Sequence, residues 1–507
     1  MTCTDTVSLI MNLKHWCELD ELIYVSQTDE EYKQYAGLNY NEKLIEQLAE
    51  MKVSNSQIFI DFFSEPKPVL LGAIEDVAYS KTKKLELELH HARSTKITSS
   101  KHMFKDSPVN WSTWRQFNSF EKRPENRKEV FDEFIEKTKY LAPIIEDRFS
   151  KIRLVYEENR RSKYDKETNN ELDPVSAYLE QENITYEKLM EFIKSMGQRA
   201  KKPFKDALTE IGKTVLGKEP EYYDDFYFFR NKIYSDIDGR FLAIDPLTEV
   251  KKILVNMHFD LSSIHFDTED RKNKYPSPIC FFVKIPNDIR ILYKGESPYF
   301  DFQACFHETG HAMHASSVDA KNEYWDKYRI PMGVAEIFSI FLERLTKNSD
   351  YIRPLIDSQK NNSNNNTTIT KLISKNQFME LFFVTFYAAN SLMKLSYWKE
   401  NLSIHQASEL YSRLIKEYTG FEMPGEYWLL HHILPESIMY VPSYLLAAVR
   451  AAELDLYARS KYGDKWWKEK EAGKDFREIM KPGAKIDLST FSNLDSNTFL
   501  KEILQQS

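Results

Sequence analysis

Residues 305–315 read CFHETGHAMHA and place His307 and His311 four positions apart, with Glu308 directly after the first histidine. On an α-helix, side chains four positions apart lie on one face, with about 5–6 Å between their Cβ atoms. Two imidazoles at this spacing can bind one zinc ion at about 2.0–2.1 Å. Glu308 lies about 100° further round such a helix, where its carboxylate can reach a water on the metal without binding the metal itself. The stretch therefore predicts a helix that binds a metal through two histidines.

This stretch is the centre of a longer helix, which we predict over residues 301–317 with Asp301 as its N-cap. Besides the two histidines, the same face carries Gln303 and His314. A second, mostly apolar stripe is expected to face the core, and it consists of Phe302, Phe306, Thr309 and Met313. Gly310 is unfavourable inside a helix by about 1 kcal/mol, so another part of the chain is expected to pack closely against it.

A third ligand is expected, because catalytic zinc has three protein ligands and one open position for water. The almost wholly apolar run PMGVAEIFSIFLERL (331–345) predicts a helix opened by Pro331, and it carries Glu336 and Glu343 seven positions apart. Burying a carboxylate in such a helix is costly unless a cation compensates. Both carboxylates would be compensated if one bound zinc and the other accepted a hydrogen bond from an imidazole that binds the zinc. The alternatives are a surface-facing Glu336 and a Glu343 paired with Arg344 or another base.

The rest of the sequence predicts a mainly helical chain with a small sheet. The run ICFFVKIPNDIRILYKG (279–295) consists of two β-rich segments joined by a Pro-Asn-Asp turn, which predicts a hairpin. The polar run SQKNNSNNNTTIT (358–370) predicts a loop. Apolar residues at spacings of three and four predict further helices within 41–52, 127–152, 185–211, 375–398, 405–418 and 436–460. We predict an N-terminal helical lobe, 1–245, and a zinc lobe with the sheet, 246–507, with the two lobes interdigitated.

Composition and charge exclude several classes of protein. The formal net charge of −8 over 507 residues argues against nucleic-acid binding, because neutralising phosphates requires a basic surface. The four cysteines have neither CxxC nor paired spacing, so no thiolate metal site or disulfide framework is indicated. The N-terminus does not read as a signal peptide, and the apolar run at 438–449 is too short to cross a bilayer. These features predict a soluble, cytoplasmic protein with no nucleic-acid or membrane partner.

Two motifs together resemble a known family. HETGHAMH with AEIFSIFLE, in which Glu336 falls 25 residues after His311, resembles the thimet oligopeptidase / oligopeptidase F family of zinc metallopeptidases. Residues 265–291 are similar to the family's sheet segment before the metal helix, and 474–491 to its Gly-Pro-containing tail. The N-terminal half matches only in being helical. The resemblance implies a two-lobed helical body with a deep substrate channel and one zinc ion at the channel floor.

The resemblance also implies a role for each residue of the predicted site. His307 and His311 correspond to the imidazole ligands, Glu336 to the carboxylate ligand and Glu308 to the general base. Glu343 corresponds to the acid that supports a ligand imidazole. We expect Gln303 and His314, which share the histidine face, to lie around the ligands without binding the metal.

A downstream segment, HHILPESIMYVPSYLLAA (431–448), resembles the part of the family that binds the developing oxyanion. His432 takes the place of the family's transition-state histidine, and Tyr444, 12 residues on, that of its last tyrosine. The family's Gly-Gly-Tyr is replaced around Glu436–Ser437, and the next expected tyrosine aligns with Val441, one position from Tyr440. Either Tyr440 or Tyr444 is therefore the expected oxyanion donor. The alternatives are that His432 is a buried histidine hydrogen-bonded to the backbone, and that Tyr440 and Tyr444 are aromatic residues of the core.

The resemblance implies an endopeptidase that uses one Zn²⁺ per chain and cleaves short, unstructured oligopeptides. One strand of the hairpin, Cys280–Lys284, is expected to bind an extended peptide by strand addition. A carboxypeptidase or dipeptidase that trims peptide ends is the first alternative. A non-catalytic peptide-binding scaffold is the second, and the intact set of His307, Glu308, His311 and Glu336 argues against it.

Overall fold

The computed structural model describes residues 66–160, 172–269, 271, 274, 278–293, 298–358 and 365–504. The described chain is mainly helical with two small sheets, in agreement with the predicted fold class. The helix predicted within 41–52 lies outside the described residues. Cys280 and Cys305 are free thiols, and Cys3 and Cys17 lie outside the described residues.

The helices and strands alternate with short turns, 3₁₀ helices and one π-helix. In the first half of the chain they are α1 Pro66–Lys96, β1 Thr98–Phe104, β2 Ser107–Asn110, α2 Trp114–Phe120, α3 Pro124–Lys137, α4 Ala142–Arg160, α5 Pro174–Gln181, α6 Tyr186–Leu216, the π-helix Phe226–Lys232 and α7 Pro246–Asn256. In the second half they are β3 Ile264–Asp267, β4 Ile279–Lys284, β5 Asp288–Leu292, α8 Pro298–Ser317, α9 Tyr324–Tyr328, α10 Met332–Glu343, α11 Ser349–Asp357, α12 Asn365–Lys399, α13 Ile404–Thr419, α14 Val441–Tyr462, α15 Lys470–Met480 and α16 Ser496–Leu504.

The described residues form two compact units that alternate along the sequence. Unit 1 contains residues up to Ile233 and residues 378–442, and unit 2 contains residues 234–377 and those from Ser443 onwards. The lobes expected from the sequence, 1–245 and 246–507, stay a prediction. No helix in the described part of the chain is both long enough and apolar enough to cross a membrane.

Unit 1 is built from helices around an aromatic interior. The long helices α1 and α4 pack against each other, and β1 and β2 form an antiparallel hairpin beside α3. Phe229 of the π-helix stacks on Phe382 of α12 with 3.9 Å between ring centroids. A fully buried ion pair joins Arg127 of α3 to Asp224. Helices α1, α2, α4 and α12 each contribute a side chain that hydrogen-bonds to the segment 430–438, which carries His432.

Unit 2 contains a three-stranded sheet covered by the predicted metal helix. The strand order is β3-β5-β4, with β3 parallel and β4 antiparallel to β5, so the predicted hairpin is confirmed. Ala312 and Ala315 of α8 pack on Ile289 and Ile291 of β5 in one buried apolar cluster. The sheet therefore supports one side of α8, and α10 packs on another side.

Three predicted element boundaries differ from the structure. Helix α8 begins at Pro298, because proline suits the first helical turn, and Asp301 lies within that turn and is not the N-cap. Helix α12 begins at Asn365, inside the predicted loop 358–370, because Ile369 and Leu372 are buried and extend its apolar side. Residues 359–364 lie outside the described part. Helix α14 begins at Val441 and not at 436, because residues 431–440 form turns and bends.

Candidate active site

Helices α8 and α10 cross in close contact at Gly310. A Cβ atom added to Gly310 would lie 2.3 Å from the carbonyl oxygen of Phe338 and 2.5 Å from the Cα of Ser339. Both distances are far below van der Waals contact, so the absence of a side chain at Gly310 permits this approach. The close packing expected at Gly310 is confirmed, and it brings the histidine face of α8 next to Glu336 of α10.

The side chains of His307, His311 and Glu336 converge at this crossing. One ligand atom from each lies within 4.8 Å of the others. Oε2 of Glu336 is 3.3 Å from Nε2 of His307 and 3.5 Å from Nε2 of His311. Two atoms bound to one tetrahedral zinc ion at about 2.0–2.1 Å are roughly 3.3–3.4 Å apart. The separations and the donor set of two imidazoles and one carboxylate therefore fit a zinc ion.

The burial of Glu336 also fits a bound cation. Glu336 is only 3% exposed, and a carboxylate at such a position needs a compensating positive charge. The hydroxyl of Ser339 donates a hydrogen bond of 2.9 Å to Oε2 of Glu336. This bond fixes the orientation of the carboxylate, and a neutral hydroxyl adds no positive charge.

Glu343 supports His307 from the side opposite to Glu336. Its Oε2 is 2.9 Å from Nδ1 of His307, and its Oε1 is 2.7 Å from Nζ of Lys347. Burial would raise the pKa of Glu343, but the charge of Lys347 and the hydrogen bond with His307 lower it to about 2. Glu343 is thus ionised at neutral pH, which keeps a proton on Nδ1 of His307 and leaves Nε2, on the side of Glu336, as the nitrogen that a metal could bind.

The two histidines differ in their tendency to bind protons. Burial lowers the pKa of His311 to about 4, against the charge of Glu336 and a hydrogen bond with the backbone of Ala335. Burial also disfavours the charged form of His307, but the hydrogen bonds and charges of Glu336 and Glu343 raise its pKa well above the usual value. Because imidazole binds metals in its neutral form, a metal must displace a proton from His307 and finds His311 already neutral.

Glu308 is held apart from the converging ligand atoms. The backbone N–H of Cys280, in β4, donates a hydrogen bond of 2.8 Å to its Oε2. Burial raises the pKa of Glu308 to about 7, and the nearby charge of Glu336 adds to this rise, against the charge of His307. A carboxylate with a pKa near neutral pH can accept and return a proton at the pH at which it works.

Gln303 and His314 occupy different surroundings on α8. The Gln303 side-chain amide is 3.5 Å from the hydroxyl of Tyr299. His314 is 3% exposed and packs on Phe338 with 4.6 Å between ring centroids. Burial lowers the pKa of His314 to about 3, so its ring is neutral. Their expected place around the ligands stays a prediction.

The predicted oxyanion-binding residues are divided between the units. His432 and Tyr440 belong to unit 1, and Tyr444 belongs to unit 2. The ring of His432 is exposed, yet partial loss of hydration and the charges of Arg115 and Arg230 lower its pKa to about 3. His432 is therefore neutral near pH 7 and carries one N–H that can donate a hydrogen bond. The role of these three residues stays a prediction.

The sequence of this chain matches a known family over most of its length. The profile of peptidase family M3 matches residues 107–485. The chain belongs to peptidase family M3. As an M3 peptidase it is a hydrolase and a metallopeptidase that acts on peptides, and the family implies a catalytic metal. The resemblance inferred from the two motifs is thereby confirmed.

Solved structures share the fold of this M3 chain. PZ peptidase A in complex with an inhibitor superposes with a TM-score of 0.61 and 15% identity, over 96% of this chain and 88% of the other. A putative oligoendopeptidase F from Bacillus anthracis gives a TM-score of 0.56 and 15% identity, over 95% and 86%. Metallocarboxypeptidase 1 of Trypanosoma cruzi gives 0.61 and 14%, over 99% and 97%. No curated protein matches the sequence at a significant level.

Two contacts of the M3 site are absent from the sequence-based prediction. The alternative considered for Glu343 was a pair with Arg344 or another base; the base is Lys347, which was not named, and Arg344 pairs with Glu502 and Asp455. The four-residue spacing of Glu343 and Lys347 is a signal that could have identified this pair. The hydrogen bond between the Cys280 N–H and Glu308 joins a strand to a helix, so no spacing in the sequence indicates it.

Proposed function

We propose that this M3 peptidase is a zinc-dependent endopeptidase that hydrolyses internal bonds of short, unstructured oligopeptides. The observation that carries the proposal is the convergence of His307, His311 and Glu336, with the Glu336 carboxylate at the separation from each imidazole that tetrahedral zinc requires. Glu308 lies beside this set, and its carboxylate is oriented by the β4 backbone. Two imidazoles and a carboxylate with an adjacent base are the arrangement of a hydrolytic zinc site.

Each residue of the site has a distinct part in the proposed reaction. Zinc, held by His307, His311 and Glu336, would lower the pKa of a water to about 7 and polarise the scissile carbonyl. Glu308 takes a proton from the attacking water and delivers it to the leaving amine. Glu343, charged and bonded to His307, keeps that imidazole in the tautomer that a metal ligand requires.

We assign the hydrogen bonds that stabilise the oxyanion of the transition state to residues outside α8 and α10. His432 would donate a hydrogen bond through its neutral ring, and either Tyr440 or Tyr444 would donate a second. One such donor contributes roughly 2.7–4 kcal/mol to lowering the barrier.

An extended substrate would bind to strand β4. Within the described sheet β4 is an outer strand, since β5 separates it from β3. The N–H of Cys280 donates to Glu308, so the outer edge of β4 within the described sheet lies beside the proposed base. A peptide paired with Cys280–Lys284 would therefore lie next to the base and the proposed ligands, and backbone pairing would bind it with little regard to side chains.

A second candidate is a carboxypeptidase or dipeptidase that removes residues from peptide ends. The observation that favours it is the fold shared with the metallocarboxypeptidase of Trypanosoma cruzi, at a TM-score of 0.61. The proposed chemistry is the same in both candidates, and only the part of the substrate bound beside the zinc differs.

Internally quenched peptides of graded length, with free and with blocked termini, distinguish the two candidates. An endopeptidase cuts internal bonds and tolerates blocked ends, as determined by mass spectrometry of the products. Stepwise removal of terminal residues, abolished by blocking a terminus, would instead identify the exopeptidase. Absence of turnover in a preparation with one zinc per chain would contradict both and leave the non-catalytic peptide-binding scaffold.

A further inference from the structure

Most backbone N–H groups of residues 431–438 donate hydrogen bonds, although these residues belong to no helix or strand. We call these residues the His432 loop. The N–H groups of Ile433 and Leu434 both donate to Nδ1 of His431, at 3.1 and 3.4 Å. Those of Glu436 and Ser437 donate to the carbonyl of Ile433. The N–H of Ile438 donates to the hydroxyl of Tyr79, at 3.2 Å.

Side chains from three helices bind the carbonyl groups of the same loop. The carbonyl of Leu434 accepts from Lys394 of α12 at 2.7 Å, and that of Pro435 accepts from Arg148 of α4 at 3.2 Å. The carbonyls at the two ends are bound in the same way. That of Leu430 accepts from Arg115 of α2 at 2.8 Å, and that of Ile438 accepts from Trp398 of α12 at 2.8 Å. All of these residues belong to unit 1. The loop is therefore bonded to its surroundings at both ends and in the middle.

Lys394 is the most deeply buried of the side chains that bind the middle of the loop. It is 1% exposed, and its Nζ lies 4.2 Å from the ring centroid of Phe149 and 5.4 Å from that of Trp398. Burial and the charges of Arg148 and Arg153 lower the pKa of Lys394 well below its usual value. A buried amine is a costly way to stabilise a fold, because an apolar side chain of the same length would need no hydrogen bond. The benefit of the amine must lie in the conformation that it fixes.

His432 is the most exposed residue of the loop, and the half-buried Glu436 pairs with Arg93 of α1. Between Tyr427 and Met439, all of which the structure describes, only His432 is exposed. Its neighbour His431 is 7% exposed and uses its Nδ1 for the turn. The ring of His432 stacks on that of His431 with 4.6 Å between centroids, so its position depends on the bonds that hold the backbone of the loop.

We propose that Lys394 is a positioning residue that fixes the His432 loop through the Leu434 carbonyl and so holds His432 in its catalytic orientation. The inference rests on the oxyanion-binding role of His432 given in the proposed function. Lys394 does not contact the substrate. Its effect on the reaction passes through the backbone between Leu434 and His432.

Lys394→Met tests the inference, because it keeps the length and the aromatic contacts of the side chain and removes the donor. We expect kcat to fall about ten- to hundredfold with KM changed less than about twofold, since misplacing a catalytic group by about 1 Å has effects of this size. Zinc content and the midpoint of thermal unfolding should not decrease. Arg153→Met is the matched control: Arg153 lies over the rings of Tyr397 and Trp398 but donates to the carbonyls of Tyr397 and Leu402, outside the loop. It should leave kcat unchanged.

A double-mutant cycle with His432→Gln separates positioning from a structural role. If Lys394 acts through His432, Lys394→Met should change kcat by less than about twofold in the His432→Gln background. Losses that multiply, or a loss no greater than that of Arg153→Met, would overturn the positioning role and leave the proposed function standing. If His432→Gln alone leaves kcat unchanged, the role of His432 and the positioning role both fall.

Hydrogen exchange of the unmodified protein gives a measure that needs no variant. Amides 433, 434 and 436–438 should exchange as slowly as those of neighbouring helices, because each has an acceptor. Exchange at the rate of an unstructured segment would contradict a fixed loop, even if Lys394→Met failed to fold. In Lys394→Met, exchange should become faster in this peptide while that of α6 stays the same.

Discussion

At the residue scale, the base is separated from the ligand set by a backbone hydrogen bond. Glu308 accepts from the N–H of Cys280, whereas Glu336 accepts from Ser339 and faces both histidines. The two glutamates should therefore fail in different ways when they are replaced. Replacing Glu308 should remove proton transfer, and replacing Glu336 should remove the metal.

Glu308→Gln should keep one zinc per chain and lower kcat by about 10²–10⁴-fold, because an amide cannot take the proton of the attacking water. The measurement is kcat on an internally quenched peptide, together with elemental analysis for zinc. Glu478→Gln, an exposed acid of the same unit, is the control and should change neither quantity. Activity within about tenfold of the unmodified enzyme would remove Glu308 from the role of base.

Glu336→Ala should lose zinc, because it removes one of three ligands and leaves two imidazoles that hold the metal weakly. Glu343→Gln should keep the ligand set and weaken zinc binding by about ten- to a hundredfold, since it only loosens the orientation of His307. Competition with a chromogenic chelator measures both affinities. An unchanged zinc affinity in Glu336→Ala would exclude this carboxylate as a ligand.

At the element scale, the crossing of α8 and α10 determines whether the ligands meet. Gly310→Ala would place a methyl group against the Phe338 carbonyl and Ser339 Cα, and backbone at such a distance must move. We expect a loss of about 1–3 kcal/mol in the free energy of unfolding, together with weaker zinc binding. Gly239→Ala is the matched control, because an added Cβ there has no neighbour within 4 Å. Equal effects of the two substitutions on zinc affinity would show that the crossing does not control the site.

A second element-scale prediction concerns pH and the attachment of strand β1 to helix α3. Glu133 accepts from the hydroxyl of Ser99 at 2.7 Å and pairs with Lys137 at 2.9 Å. Burial opposes these contacts, but together they lower the pKa of Glu133 from 4.5 to about 2. A carboxyl group whose pKa is lower in the folded state stabilises the fold above its unfolded pKa, and this stabilisation is lost as pH falls towards the folded pKa.

Glu133→Gln should therefore lower the free energy of unfolding by about 1–3 kcal/mol at pH 7. The difference from the unmodified protein should begin to shrink below about pH 4.5 and reach about half its size near pH 3. Denaturant unfolding at a series of pH values measures it. Glu136→Gln is the control: its side chain is 69% exposed, so its pairing with Lys139 is screened by solvent and the substitution should leave stability nearly unchanged at every pH. A difference that stayed constant from pH 7 to pH 3 would contradict the assigned role of Glu133.

Local spacing accounts for the parts of this structure that the sequence predicts. His307 and His311 are one helical turn apart, and the two β-rich runs of the hairpin are joined by a short turn, so both follow from nearby residues. The anchors of the His432 loop are not local: Arg148 and Pro435 are 287 residues apart, and Arg115 and Leu430 are 315 apart. Neither helical nor strand periodicity carries information about such pairs. The start of α12 was missed because its first turns are mostly polar, and Ile369 and Leu372 are the buried apolar residues there.

At the scale of the whole molecule, the residues with proposed roles in the reaction are divided between the two units. The proposed ligands, the base and its partner strand all belong to unit 2, and His432 with its anchors belongs to unit 1. Each unit has its own buried core. The free energy of zinc binding is therefore expected to stabilise unit 2 directly, whereas the orientation of His432 depends on contacts within unit 1.

Metal removal should accordingly act first on the helices that hold the ligands. A ligand that binds only the folded state stabilises it by about 4 kcal/mol at a thousandfold excess over its Kd, and a chelator removes that stabilisation. We expect hydrogen exchange to become faster in α8 and α10 of unit 2, with a smaller change in α6 and α13 of unit 1. The comparison uses the same protein with zinc, with a chelator and after zinc is restored. Faster exchange in α6 and α13 than in α8 and α10 would show that zinc does not bind where His307, His311 and Glu336 converge.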